Sequence, residues 1–184
     1  MKKILIFAAV ALFAACNSKK AETKEESAKT GGEEPTGQVI NSPYEVGYSS
    51  KFTMGDPKHA EAILTLWKDW DNGNLSAHKE MFGDSLEMHF AEGNIIHNVR
   101  DSVLAGGQKY RNTFAKSVSS VDAVMAVKST DKNESWALVW GKEIDTDKAG
   151  KVDSFYLQET WRFNKDGKAD LMYQFKAAGA PPAK

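Results

Sequence analysis

Glu159 lies in the run Ser154-Phe-Tyr-Leu-Gln-Glu-Thr-Trp-Arg-Phe163, where large apolar residues fall at every second position. Strict alternation puts its carboxylate on the side of Phe155, Leu157, Trp161 and Phe163. A carboxyl buried there must find a hydrogen-bonding partner or take up a proton, and a raised pKa is what a general acid or base uses. The same placement also suits an ion pair with Arg162 or Lys142, a tyrosine across the sheet, or a bulge that turns the side chain outward. His89, in Leu86-Glu-Met-His-Phe90, is the second candidate for moving a proton. It alternates with Met88, so the two cannot both face inward on a regular strand, and a packing or solvated histidine is equally open. His97 is weaker, and His59 and His78 read as helix-surface residues.

Other chemistries find no pattern. His-Glu-x-x-His is absent and the four histidines are scattered, so no metal site is expected. Asp145-x-Asp147 with Gly150 has the start of a calcium loop, but Ala149 fills a ligand position and Tyr156 stands where the glutamate belongs. No phosphate loop, dinucleotide fingerprint or nucleophile elbow occurs, and no cofactor is expected. Lys and Arg number 24 against 25 Asp and Glu, so no field draws the chain to nucleic acid. The single cysteine, Cys16, excludes a disulfide within one chain.

The elements that must position these residues follow from periodicity. Trp136, Leu138 and Trp140, then Phe155 to Phe163, then Leu171, Tyr173 and Phe175 alternate as three strands. Asp147-Lys-Ala-Gly150 and Asn164-Lys-Asp-Gly167 between them are hairpin turns. Upstream, Asp56-Pro57 opens a helix carrying Ile63, Leu64, Trp67 and Trp70 on one stripe, and Asn72-Gly73 stops it. A second helix is predicted from Leu75 to Phe82, ended by Gly83-Asp84. Leu86 to Phe90 reads as a first strand, and Gly93-Asn94 turns into Ile95-Ile96-His97. Asp101 caps a third helix with Val103, Leu104, Tyr110 and Phe114, in which Gly106-Gly107 allows close packing or a kink. Val121, Ala123, Met125 and Val127 lead into the three strands. Ala177 to Lys184 is a frayed tail.

Residues 1–16 stand outside this fold. Met1-Lys2-Lys3 is basic, and Ile4 to Ala15 is an apolar run too short to span a bilayer, as in a secretory signal. Leu12-Phe-Ala-Ala-Cys16 resembles the lipobox of bacterial lipoproteins, which implies a lipidated Cys16 at the mature N-terminus and a place in the cell envelope. From Asn17 to Gly37 the apolar side chains are Ala21 and Ala28, apart from Pro35, too few to offset the entropy of ordering. Residues 17–44 are therefore expected to be a disordered tether, and 45–177 the domain. Tyr44, Val46, Tyr48 and Phe52 form a lead-in whose packing the pattern leaves open.

The order helix, helix, strand pair, helix, antiparallel strands resembles the nuclear transport factor 2-like superfamily in its SnoaL-like branch. The matching pieces are Gly73-Asn74-Leu75 through Met81-Phe82 to Asp84, then Met88-His89, Arg100-Asp101, and Trp161-Arg-Phe-Asn-Lys-Asp-Gly-Lys168. Together they cover about Pro57 to Lys176. The resemblance implies an α+β fold, with a cone-shaped curved antiparallel sheet wrapped around about three helices and an apolar pocket inside. It also implies Trp67, Trp70, Met88, His89, Trp140, Glu159, Trp161 and Tyr173 as pocket-lining residues. The five tryptophans suit a core, since each buries roughly 150–250 Å², and a subset suits a flat apolar ligand. The superfamily holds enzymes and binding proteins alike, so fold leaves function open. Three expectations follow. The first is a tethered module that binds a small apolar or aromatic molecule. The second is a cofactor-independent lyase or isomerase using Glu159 or His89. The third is a structural domain with a filled pocket that dimerises through its sheet face.

Overall fold

The computed structural model describes residues 40–179; the expected signal, Cys16 and all of the tether before residue 40 lie outside the described residues. Helix α1 spans Pro57–Asn72. Asp56 caps it with extended backbone, its Oδ1 accepting the Lys58 N–H at 3.0 Å. Gly73 ends it in the left-handed conformation, its N–H bonded to the carbonyls of Asp69 and Trp70. Ile63, Leu66 and Trp67 are the apolar side chains it buries.

The helix expected at Leu75–Phe82 is instead a set of turns and one short 3₁₀ turn, Lys79–Met81, followed directly by strand β2, Phe82–His89. Two physical reasons account for this. Leu75, His78 and Met81 repeat every third residue, which is the 3₁₀ period and not the α period. The backbone is also taken elsewhere: the Leu75 N–H goes to Gln108 Oε1 at 3.0 Å, and Phe82 pairs with Ala169. Strand β3, Ile95–Val99, returns antiparallel to β2. Helix α2, Arg100–Arg111, buries Val103 and Leu104. Asp101 lies in its first turn, where a carboxylate faces the helix dipole favourably, and Val99 occupies the cap position. Phe114, expected on this helix, opens strand β4, Phe114–Ser129.

Strands β5 (Glu134–Asp147), β6 (Val152–Phe163) and β7 (Ala169–Ala178) form the predicted meander. Its hairpins close through the Asp147 N–H to Lys151 and the Asn164 N–H to Lys168, with Gly150 and Gly167 at positive φ as the Asx-Gly clusters require. With a short β1, Phe52–Met54, the sheet runs β1-β4-β5-β6-β7-β2-β3. Every pairing is antiparallel except β2 with β7. The last strand continues past the expected fray point: it reaches Ala178, and the Gly179 N–H bonds the Ser154 carbonyl at 3.0 Å. The α+β architecture is as expected, a curved and unclosed sheet, with two α-helices and a turn where three helices were predicted.

Both helices pack on one face of the sheet, and the strands differ in which residues they present there. On β6 the expected stripe of Leu157, Trp161 and Phe163 is buried, with Glu159 among them. On β5 the set that faces the helices is Ala137, Val139, Gly141, Glu143 and Asp145, all buried. Trp136, Leu138 and Trp140 are on the opposite face, since Ala137 pairs with Trp161 and Trp136 with Arg162. On β7 Met172 pairs with Trp161 and faces the helices, so Leu171, Tyr173 and Phe175 face away. On β4 Val127 and Met125 pair with Trp136 and Leu138, and therefore also face away from the helices.

Helix volume explains the choice. A Cβ on Gly141 would come within 2.9 Å of the Trp67 ring and 2.2 Å of the Ser120 carbonyl oxygen. The indoles of α1 need a shallow strand surface beneath them, and the small residues of β5 provide it.

Candidate functional site

Glu159 is buried, and both oxygens of its carboxyl accept from neutral donors. Oε2 accepts the indole N–H groups of Trp67 at 2.7 Å and Trp161 at 2.9 Å, and Oε1 accepts the Gln174 amide at 2.9 Å. Arg162, one of its expected partners, lies on the other face and pairs with Asp170 at 3.0 Å. His89 also faces away from the helices. It pairs in register with Tyr173, their rings 4.6 Å apart, and its Nε2 meets Glu87 Oε1 at 2.6 Å. That hydrogen bond holds the Glu87 carboxyl below its usual range. Glu159 and His89 are thus on opposite faces of the sheet and form no acid–base pair.

The helix side also carries a pair of carboxyls, of which Glu143 is not among the expected site residues and Asp145 is expected only as part of a turn. Glu143 and Asp145 follow Gly141 on the buried face of β5. Trp70 donates its indole N–H to Glu143 Oε1 at 3.0 Å and to Ser117 Oγ at 2.9 Å, and the Ser117 hydroxyl donates to Asp145 Oδ1 at 2.5 Å. Burial pushes the Glu143 carboxyl up from 4.5 to about 8, helped by the charge and hydrogen bond of Asp145 and the charge of Glu159. The Trp70 N–H works in the other direction. A carboxylic acid that stays protonated beside a second carboxyl is a proton donor at neutral pH. The available signal was Gly141: once a glycine marks the face under the helix, the residues two and four beyond it share that face.

The other side of the sheet holds an open cavity of about 720 Å³. Trp136, Leu138, Thr160, Arg162, Leu171 and Tyr173 contribute from the sheet, with Val127 and Glu134 beside them. The lead-in segment supplies the remaining wall through Tyr48 and Phe52. Tyr48 donates its hydroxyl to Glu134 and accepts the Trp136 indole N–H at 3.1 Å, with the two rings edge to face at 5.9 Å. Burial and the Glu134 carboxylate raise the Tyr48 phenol above its ordinary value. Ser49 fastens the same segment to Asp131 at 2.6 Å. A polar groove of about 600 Å³ lies at the adjoining end of the sheet and shares Glu134 and Arg162 with the cavity.

Of the residues expected around a ligand, Tyr173 lines this cavity and His89 packs on Tyr173. Trp140 is on the same face outside the lining. Trp67, Trp70, Met88, Glu159 and Trp161 are on the helix side, in or against the core. Among the described residues no three His, Cys, Asp or Glu side chains converge to hold a metal ion.

No family model matches the sequence, and no curated protein sequence matches it. Solved structures share its fold. An LEH-like epoxide hydrolase from M. tuberculosis superposes with a TM-score of 0.54 at 10% identity, over 65% of this chain and 83% of that one. SalBIII, an epoxide hydrolase/cyclase-like enzyme of pyran ring formation in the polyether salinomycin, gives 0.52 at 16%, over 65% and 91%. An NTF2-like protein of unknown function from Burkholderia pseudomallei gives 0.52 at 14%, over 65% and 90%. Identities this low establish the NTF2-like fold and nothing finer.

Proposed function

We propose that this domain is a small-molecule-binding module, held at a bacterial cell envelope by lipid on Cys16. It takes an apolar or aromatic molecule between the Tyr48 segment and the sheet. The observation that carries this reading is the cavity of about 720 Å³ walled by Trp136, Leu138, Leu171 and Tyr173. Ligand sites span roughly 300–1,000 Å³ and are mostly apolar with a few polar groups. This reading puts the ligand on the outer face rather than inside the cone, since Trp67 and Trp70 of α1 occupy the helix side. The tether, as proposed, would end next to this cavity.

The test is titration of the domain with a neutral naphthylamine probe, followed by tryptophan fluorescence. Saturable one-to-one binding that is lost in Leu138→Arg supports the reading. Absence of saturable binding to the wild-type chain refutes it. A second copy of the chain is the competing occupant. A dimer that Leu138→Arg converts to monomer, with no probe bound in either form, would make this face a homodimer interface instead.

A second reading is favoured by Glu143. Raised beside Asp145, it would be the acid of a cofactor-independent lyase or isomerase, in place of Glu159 or His89, only if a substrate reached the helix side, since it is buried and lines neither the cavity nor the groove. Fold likeness to an epoxide hydrolase and a cyclase-like enzyme supports this only by analogy. Turnover lost in Glu143→Gln with ligand affinity retained would establish it.

A further inference from the structure

We infer that the molecule taken by the outer cavity is an amphiphile, with a carboxylate head received at Arg162 and an apolar body laid along Trp136, Leu138 and Tyr173. This rests on the binding reading above and names its ligand class. Arg162 lines both the apolar cavity and the polar groove, so it marks where the surface changes character. Its Nε and Nη2 bind the two oxygens of Asp170 at 3.0 and 3.3 Å. A guanidinium has five N–H donors, so the Nη1 pair and one Nη2 proton are uncommitted among the described residues. They form a planar edge of the kind that pairs with a carboxylate.

The groove lining carries three cations against two carboxylates. Lys128 and Lys165 line the groove with Arg162. Lys165 is tied to the exposed Asp166, a pair worth little in water. The two carboxylates in the lining keep their charge, and Arg162 feels Glu134 and Glu87 as well as its partner Asp170, but each lining carboxylate already accepts a bond: Asp170 from Arg162, and Glu134 from the Tyr48 hydroxyl. His59, also in the lining, keeps a buried Nδ1 that makes no hydrogen bond to the described residues. Burial lowers its pKa, so it adds no charge at neutral pH. The groove therefore offers more unused donors than acceptors, next to a wall of aromatic and aliphatic side chains.

The experiment is displacement of the neutral probe by dodecanoate, dodecanol and dodecylammonium, each below its micelle concentration, at pH 8 and low salt. Dodecanoate is expected to bind about 10–100-fold more tightly than the alcohol, the range for a charge-assisted hydrogen bond. The preference should shrink as salt is added. Arg162→Gln should bring the ratio of acid to alcohol affinity close to one. Because the wild-type series decides alone, a poorly folded variant does not obscure the result. Equal affinity for acid and alcohol overturns the carboxylate assignment and leaves the binding reading standing. Tighter binding of the amine would assign the head to Glu134 and overturn it too. If the probe itself never binds, the binding reading fails first, and the head assignment falls with it.

Discussion

Glu143 and Asp145 lie side by side on the buried face of β5, and one indole, Trp70, reaches both: Glu143 directly and Asp145 through Ser117. Two buried carboxyls this close cannot both ionise without cost, and burial together with the Asp145 charge raises the Glu143 carboxyl, so Glu143 is the one that holds its proton.

This arrangement predicts the pH dependence of folding. The folded pKa of Glu143 is raised, from 4.5 to about 8. Between those values the folded chain keeps a proton that the unfolded chain has released, so stability falls as pH rises. The slope is at most about 1.4 kcal/mol per pH unit from this group. The contribution is intact below the unfolded value and fully lost once the pH passes about 8. Glu143→Gln removes this slope, so urea denaturation at pH 5 and pH 8.5 should show the variant losing less stability than wild type. An identical loss in both would place the proton elsewhere.

Glu159 gives a contrasting case, because its partners are neutral. Glu159→Gln retains an oxygen for the two indoles, and Gln174 can turn its amide to match, so the cost should stay within about 1 kcal/mol. Glu159→Ala leaves both indole N–H groups buried without acceptors and should cost about 3 kcal/mol or more. Denaturation at pH 7 compares them. Equal large losses would show that the charge itself, and not its acceptor geometry, is what the core requires.

Two glycines test the packing of the helices. Gly141→Ala drives a methyl into the Ser120 carbonyl and the Trp67 ring, and should cost about 3 kcal/mol or more. Gly106→Ala, in α2 with nothing near the added carbon, should stabilise by about 0.5–1 kcal/mol. A neutral Gly141→Ala would mean that α1 does not press on β5 as described.

The proposed anchor is tested by chemistry at the N-terminus. Full-length protein expressed in a bacterium should begin at Cys16, carry acyl chains there and partition into detergent. Cys16→Ser should release it from the membrane or leave the leader attached. An unmodified thiol at Cys16 in envelope-extracted protein, found by mass spectrometry, would remove the lipoprotein reading.

Local sequence determined what depends on local physics. Asp56-Pro57 and Gly73 set the ends of α1, because capping and left-handed backbone are decided within a few residues. The Asx-Gly clusters set both hairpins for the same reason, and the stripe through Leu157, Trp161 and Phe163 identified the buried side of β6. Tertiary structure decided the rest. A two-residue period is unchanged when its faces are exchanged, and β5 carries apolar residues on both. Only the volume of Trp67 above Gly141 selects which set turns to the helices, and that choice buries Glu143 and Asp145. The parallel pairing of β2 with β7 takes Phe82, which the local pattern puts at the end of a helix, into a strand. The outer cavity needs Tyr48 against Trp136, 88 residues further along the chain, and no periodicity extends that far.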